Sequence, residues 1–163
     1  MSVILAVTEQ RDGTLRKVSH EVLAAARQLA DGLGATVDAV VFGNGDVSGA
    51  AELGGFGADR VLMADHADFA NYCPDGQAVT LGELAASARA VVLAASATGR
   101  DLAPRVAARL GVGCATDVTA LGVEDGQVIV TRPVYAGKAL QKLRLTGSPA
   151  VISVRPNVFA PVE

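Results

Sequence analysis

Short apolar runs alternate with helical stripes four times in the first 113 residues, and this rhythm limits the fold more than any other feature. Val3-Ile4-Leu5-Ala6-Val7 is a continuous apolar run, the mark of a strand covered on both faces. Val18, Val22, Ala26, Leu29 and Leu33 then recur at spacings of three to four, on one face of a helix. Gly32 and Gly34 supply its stop. The cycle returns with a run over 37–42 and a short helix over 48–53 ended by Gly54-Gly55. It returns again with a strand over 60–64, a polar loop over 65–76 and an Ala-rich helix over 77–88, then with 90–95 and a helix marked by Leu102, Val106 and Leu110. Parallel neighbours need a crossover, and a helix supplies one of right-handed sense. The expected class is α/β: a doubly wound, mainly parallel open sheet with helices on both faces.

After Gly113 the rhythm changes. Residues 118–123 and 127–132 read as strands joined at Asp125-Gly126, a two-residue hairpin signal. Leu140, Leu143 and Leu145 mark a further strand, and 151–154 the last. This tail is expected as a C-terminal antiparallel strand addition. No Gly-, Ser- and Pro-rich linker divides the two parts, so residues 1–163 are expected to form a single domain. Arg155-Pro156 and Ala160-Pro161 lead out of it.

Composition narrows the function. Half of the 163 residues are hydrophobic but none is Trp and 4% are aromatic, so the core is built from Val, Leu, Ile and Ala. A net charge of −3 with scattered basic residues argues against nucleic acid. Cys73 and Cys114 are too few for a disulfide framework and read as small hydrophobes or surface thiols. No run approaches the roughly 18 apolar residues that span a bilayer. The N-terminus enters a strand pattern without a basic leader, so a cytoplasmic setting without membrane insertion is expected.

In a doubly wound sheet the crevice lies beyond the carboxyl ends of the strands, where their order reverses. That points to the loop Thr8-Glu9-Gln10-Arg11-Asp12-Gly13 and to the loop Ser96-Ala97-Thr98-Gly99-Arg100-Asp101. Thr98, Gly99, Arg100 and Asp101 are the crevice candidates. A helix start favours anions, Gly99 allows close backbone approach, and Arg100 offers a fork of donors. The same residues also read as a plain helix cap, with Thr98 or Asp101 capping and Arg100 solvated. Glu9 and Asp12 would repel a phosphate unless paired, and no Gly-rich phosphate fingerprint follows the first strand. Gly111-Val112-Gly113 suits a helix stop.

Asp65-His66-Ala67-Asp68 is a weak metal set and His20 stands alone on a helix, so no metal site is expected. No Ser has the setting of a hydrolase nucleophile, and no catalytic group assembles. Arg132-Pro133-Val134-Tyr135-Ala136-Gly137-Lys138 reads either as a partner contact through Arg132 and Tyr135 or as a bent edge strand.

Several segments together carry a resemblance. They are Val3-Ile4-Leu5-Ala6-Val7-Thr8-Glu9 with Leu15-Arg16-Lys17-Val18-Ser19, Gly99-Arg100-Asp101-Leu102-Ala103-Pro104-Arg105-Val106-Ala107, Cys114-Ala115-Thr116-Asp117-Val118, Arg132-Pro133-Val134-Tyr135-Ala136-Gly137 and Val154-Arg155-Pro156-Asn157-Val158-Phe159-Ala160-Pro161. In this order they resemble the N-terminal domain of the electron transfer flavoprotein α subunit. The resemblance implies an adenine nucleotide alpha hydrolase-like fold and a scaffold role in an αβ heterodimer that carries electrons from flavin dehydrogenases to a respiratory acceptor. It implies FAD in a second domain of the α subunit, AMP in the β subunit, and contacts to a β-type subunit and a flavin-binding domain. The chain stops at Glu163, where that flavin domain would begin, so no cofactor is expected on this chain alone. A stand-alone AMP- or ATP-binding domain of the universal-stress-like class is the alternative. Its spaced glycines before a Ser or Thr are not matched by Gly99, Gly111 and Gly113 followed by Cys114. A small enzyme ranks last.

Overall fold

In the computed structural model, which describes residues 2–161, the chain begins with β1 (Val3–Val7) and a small ribbon of β2 (Gln10–Arg11) and β3 (Thr14–Leu15). Then follow α1 (Val18–Leu33), β4 (Thr36–Gly43), a 3-10 helix over Ala50–Phe56 and β5 (Arg60–Asp65). The second half of the alternation is α2 (Pro74–Leu84), β6 (Ala88–Ala94) and α3 (Ala97–Leu110). The tail holds β7 (Cys114–Val118), β8 (Ala120–Glu124), β9 (Gln127–Val134), β10 (Ala139–Leu145) and β11 (Ala150–Val154).

Six strands form a parallel sheet in the order β5-β4-β1-β6-β11-β7. Its two faces are read directly from residue parity. Ile4, Ala6, Val37, Ala39 and Val41 pack under α1 with Val22, Ala26 and Leu29, whereas Leu5, Val7, Val40 and Phe42 pack with Leu81 of α2 and Leu102 and Val106 of α3. Burial of these side chains stabilises by about 25 cal/mol per Å² of apolar surface. Small residues let the layers approach: Ala25, Ala26 and Ala30 of α1 are fully buried.

The antiparallel addition is a separate sheet, β10-β9-β8, which extends the α1 face. Leu121, Val128 and Val130 join the α1 core, and Gln28 Nε2 donates to the Leu121 carbonyl at 2.8 Å. The β8–β9 turn is the expected Asp125-Gly126 hairpin, with φ of 52° and 73°. Helix stops also fall as expected, with Gly34 and Gly111 left-handed at φ of 62° and 69°.

Three expectations change. The 77–88 helix starts earlier, at Pro74, and ends in a 3-10 turn over Ala85–Ser87. The 118–123 strand is divided: Val118 ends β7, where Asp117 takes φ 60°, Thr119 breaks the run, and β8 starts at Ala120. The 151–154 strand belongs not to the antiparallel addition but to the parallel sheet, where β11 sits between β6 and β7 with all five residues buried.

Candidate functional site

Strand order reverses between β1 and β6, so the loops after these strands face each other at the carboxyl edge of the sheet. Ser96 is extended at φ −72° and caps α3, its Oγ accepting from the Gly99 N–H at 3.1 Å. The Ser96 hydroxyl in turn donates to Oε1 of Glu9 across the crevice. Arg16 donates to Oε2 of Glu9 at 2.7 Å. The Glu9 backbone is pinned as well: its N–H donates to Ser19 Oγ at 2.9 Å, and the Ser19 hydroxyl donates back to its carbonyl at 3.1 Å. The Glu9 side chain is only 8% exposed, so the first loop carries a buried, paired carboxylate to the positive end of α3.

Beneath it lies a cavity of about 50 Å³, lined by Val7, Thr8, Phe42, Tyr72, Gln77, Leu93, Thr98, Gly99 and Leu102 among others. That space suits a few waters, whereas small-molecule sites run to about 300–1,000 Å³. A cavity of that size does not fit a nucleotide.

The four crevice candidates divide. Thr98 and Gly99 line the cavity. Gly99 faces the sheet: a Cβ there would meet the Ala94 carbonyl oxygen at 1.7 Å, so the glycine sets helix-to-strand packing. Arg100 is exposed beside the crevice. Asp101 accepts from the Tyr72 hydroxyl at 2.7 Å and from Arg105 Nε at 3.1 Å, clipping the 71–73 loop to α3. The Tyr72 hydroxyl holds the Asp101 carboxyl below the usual carboxylate range, helped by Arg105 against partial desolvation. Burial, then the Asp101 carboxylate, pushes the Tyr72 phenol up.

Arg132 and Tyr135 lie elsewhere, on β9 and the β9–β10 turn. Arg132 donates to the Thr116 carbonyl at 2.7 Å and to Thr116 Oγ1 at 3.1 Å, tying the antiparallel sheet to β7. It also favours the thiolate of Cys114, but burial dominates and pushes that thiol up to about 11. Tyr135, Ala136 and Gly137 are all left-handed, at φ of 50°, 53° and 86°, and Tyr135 is 82% exposed. Left-handed backbone costs about 1–2 kcal/mol per non-glycine residue, so this turn holds an aromatic ring in solvent against its own preference.

The same end of the sheet carries Asp117, whose carboxylate meets Arg155 in a two-point fork at 2.9 and 2.5 Å. The Arg155 bonds hold the Asp117 carboxyl below its ordinary range, with Arg100 and Arg132 adding attraction and desolvation opposing. A depressed folded-state pKa stabilises above the unfolded value and is lost as pH falls through the folded one. Asp117→Asn keeps a residue that tolerates the left-handed backbone. Its urea midpoint is expected to lie below the parent's at pH 7, with the gap closing as pH falls past the ordinary aspartate range. A gap unchanged from pH 7 to pH 2.5 would show that the charge does not stabilise.

Asp65 accepts from the Gly45 N–H at 2.7 Å and His66 Nδ1 from the Asp68 N–H at 3.2 Å. Among the described residues no three His, Cys, Asp or Glu side chains converge as a metal set. No helix among them is long and apolar enough to cross a membrane. Glu9, which unpaired would repel a phosphate, is paired by Arg16 and by Ser96, a partner 87 residues away that leaves no local trace in the sequence. The cap of α3 is Ser96 and not Thr98 or Asp101; a Ser directly between an apolar run and a helical stripe was the available signal. The Asp117–Arg155 fork spans 38 residues and left no local signal.

The electron transfer flavoprotein domain family matches residues 4–163. The chain is 39% identical over 152 residues to electron transfer flavoprotein subunit alpha of Syntrophomonas wolfei subsp. wolfei, covering 92% of this chain and 47% of that protein. It is 40% identical over 160 residues to Protein FixB of Clostridium saccharobutylicum, covering 95% and 48%. It is 31% identical over 182 residues to acryloyl-CoA reductase electron transfer subunit beta of Anaerotignum propionicum, covering 95% and 50%. The chain thus spans about half the length of the curated relatives it matches. With the parallel sheet, the separate antiparallel sheet and the ordered segments agreeing over nearly its whole length, the chain belongs to the electron transfer flavoprotein domain family.

Proposed function

We propose that this chain is the partner-docking scaffold of an electron transfer flavoprotein, residues 1–163 acting as one domain that positions a flavin carried elsewhere. Relatives are named as electron transfer subunits, which supports a role in passing electrons; in this reading the electrons go on to a respiratory acceptor and the chain itself holds no catalytic group. The observation that carries the docking reading is Tyr135. An aromatic ring 82% exposed on three successive left-handed residues is maintained at a cost that folding alone does not repay. Tyrosine and arginine are also the residue types that dominate binding hot spots. Arg132 and Arg155 line the same surface hollow as Tyr135, with Asp117 as the neighbouring acid, and Lys138 follows in the turn, so the turn is locally basic on a chain of net charge −3. The occupant is a β-type subunit, and the crevice candidates Thr98 to Asp101 serve as structural support for this end of the sheet. FAD belongs to a companion flavin domain and AMP to the β-type partner, and the assembly acts in the cytoplasm.

The test is co-elution of the purified chain with a β-type subunit in size exclusion. A 1:1 complex is expected, weakened at least tenfold in Kd by Tyr135→Ala, in the range of a hot-spot truncation. Independent elution, or a Tyr135→Ala complex of parental affinity, would remove the reading.

A further inference from the structure

We propose that the β-type partner presents an acidic patch to β10, and that attraction between this patch and Lys138, Lys142 and Arg144 sets the rate of assembly. The proposal deepens the docking reading and rests on it. Charge is divided along the chain. Residues 126–162 hold five basic side chains, Arg132, Lys138, Lys142, Arg144 and Arg155, and no acid, whereas residues 1–125 hold 16 acids against nine bases. The net charge of −3 therefore hides a basic tail behind an acidic body.

Register gathers three of these cations along one strand and its turn. Leu143 and Leu145 of β10 stand opposite Val130 and Val128 and pack with them toward α1. Alternation sends Leu140, Lys142 and Arg144 to the other face, which is open: Leu140 is 71% exposed, and both cations are exposed. Lys138 joins them from the turn, its N–H donating to the Tyr135 carbonyl at 3.2 Å. The acids of this sheet do not neutralise the row. Glu124 of β8 accepts from Lys142 at 2.6 Å, and Asp125 lies in the β8–β9 turn, at the other end of β9 from Tyr135. Lys142 and, after it, Arg144 hold the Glu124 carboxyl below its ordinary range, so one acid serves two cations. Among the described residues Lys138 and Arg144 form no ion pair. Lys142 and Arg144 stand about 7 Å apart along the strand and repel each other, which folding alone does not require. Two exposed apolar anchors, Tyr135 and Leu140, flank Lys138, so the strand combines apolar contact with a charged border, the anatomy of a protein interface. Complementary charge across such a border speeds encounter and is screened by salt.

Stopped-flow association with a β-type subunit tests this, read from about 20 to 500 mM NaCl. The association rate constant is expected to fall at least about tenfold over that range, with dissociation little changed. Lys138→Glu with Arg144→Glu is expected to slow association at least about tenfold at low salt and to flatten its salt dependence, with the far-UV circular dichroism of the parent. Arg11→Glu with Lys17→Glu, exposed cations on β2 and just before α1, changes the net charge equally and is expected to associate at the parental rate. A rate indifferent to salt, or one slowed as much by the second pair as by the first, overturns the proposal and leaves docking intact. Phosphatidylglycerol vesicles that hold the chain as tightly as the subunit does would assign the face to a membrane and overturn it as well. Absence of any complex at every salt concentration removes the docking reading and this inference with it.

Discussion

Gly99→Ala is expected to destabilise this chain by at least about 4 kcal/mol, more than the roughly 1–3 kcal/mol of ordinary overpacking. The added methyl would stand 1.7 Å from the carbonyl oxygen of Ala94 and 2.9 Å from its carbonyl carbon. Both are backbone atoms at the end of β6, a strand held on both sides by β1 and β11, so neither can rotate away. Relief requires α3 to move off the sheet. That movement breaks the Ser96 cap, the Ser96–Glu9 bond and the burial of Leu102 and Val106 together. Against a total stability of about 5–15 kcal/mol the loss is a large fraction. Urea unfolding followed by far-UV circular dichroism measures it, with Gly55→Ala as the control. Gly55 faces open space, so its change should stay within about 0.5 kcal/mol. Equal midpoints for the two variants would mean that α3 does not sit on β6 as described.

The second large effect is expected at Ile152. Ile152→Ala should cost about 3–4 kcal/mol, the middle of the range for a fully buried aliphatic residue cut to alanine. Ile152 is 0% exposed, registers with Val92 on one side and Ala115 on the other, and packs on the α1 face. Its environment follows from the return of β11 into the parallel sheet. Were 151–154 an edge of the antiparallel addition, one flank would face water and the loss would fall near 1 kcal/mol. Leu140→Ala on β10 supplies the comparison: Leu140 is 71% exposed, and its truncation should change stability by less than about 0.5 kcal/mol. Denaturant midpoints of the two variants thus test topology as well as burial.

Strand 150–154 also shows how far a sequence speaks for its fold. Ala150 to Val154 is apolar save for the buried Ser153, a near match to 3–7, and such runs belong to strands covered on both faces. Its place in the chain, after the three antiparallel strands β8, β9 and β10, suggested the opposite company. Local pattern told the environment correctly, and chain order told the neighbour wrongly. The strands β1, β4, β5 and β6 and the helices α1 and α3 were legible because their periods are clean and both helices stop at glycine: Gly34 and Gly111 take the left-handed caps that the spacing called for. Asp117 was not legible, because a left-handed aspartate looks no different in sequence from an extended one.

The crevice was legible as a place, since the order reversal follows from alternation, but not in its contents. Glu9 is separated from Ser96 by 87 residues, so nothing local in the sequence shows that its carboxylate is paired. The turn at Tyr135 was visible as an irregular segment. Its left-handed run and its solvent-facing ring are properties of the folded backbone, set by β9–β10 register from Val134↔Ala139 onward.

Hydrogen–deuterium exchange of the chain, alone and saturated with a β-type subunit, places the working surface most directly. Protection is expected over residues 132–140, at the basic turn bearing Tyr135, with residues 96–101 at the crevice exchanging as they do in the free chain. Protection concentrated at 8–13 and 96–101, with the 132–140 turn unaffected, would contradict the account.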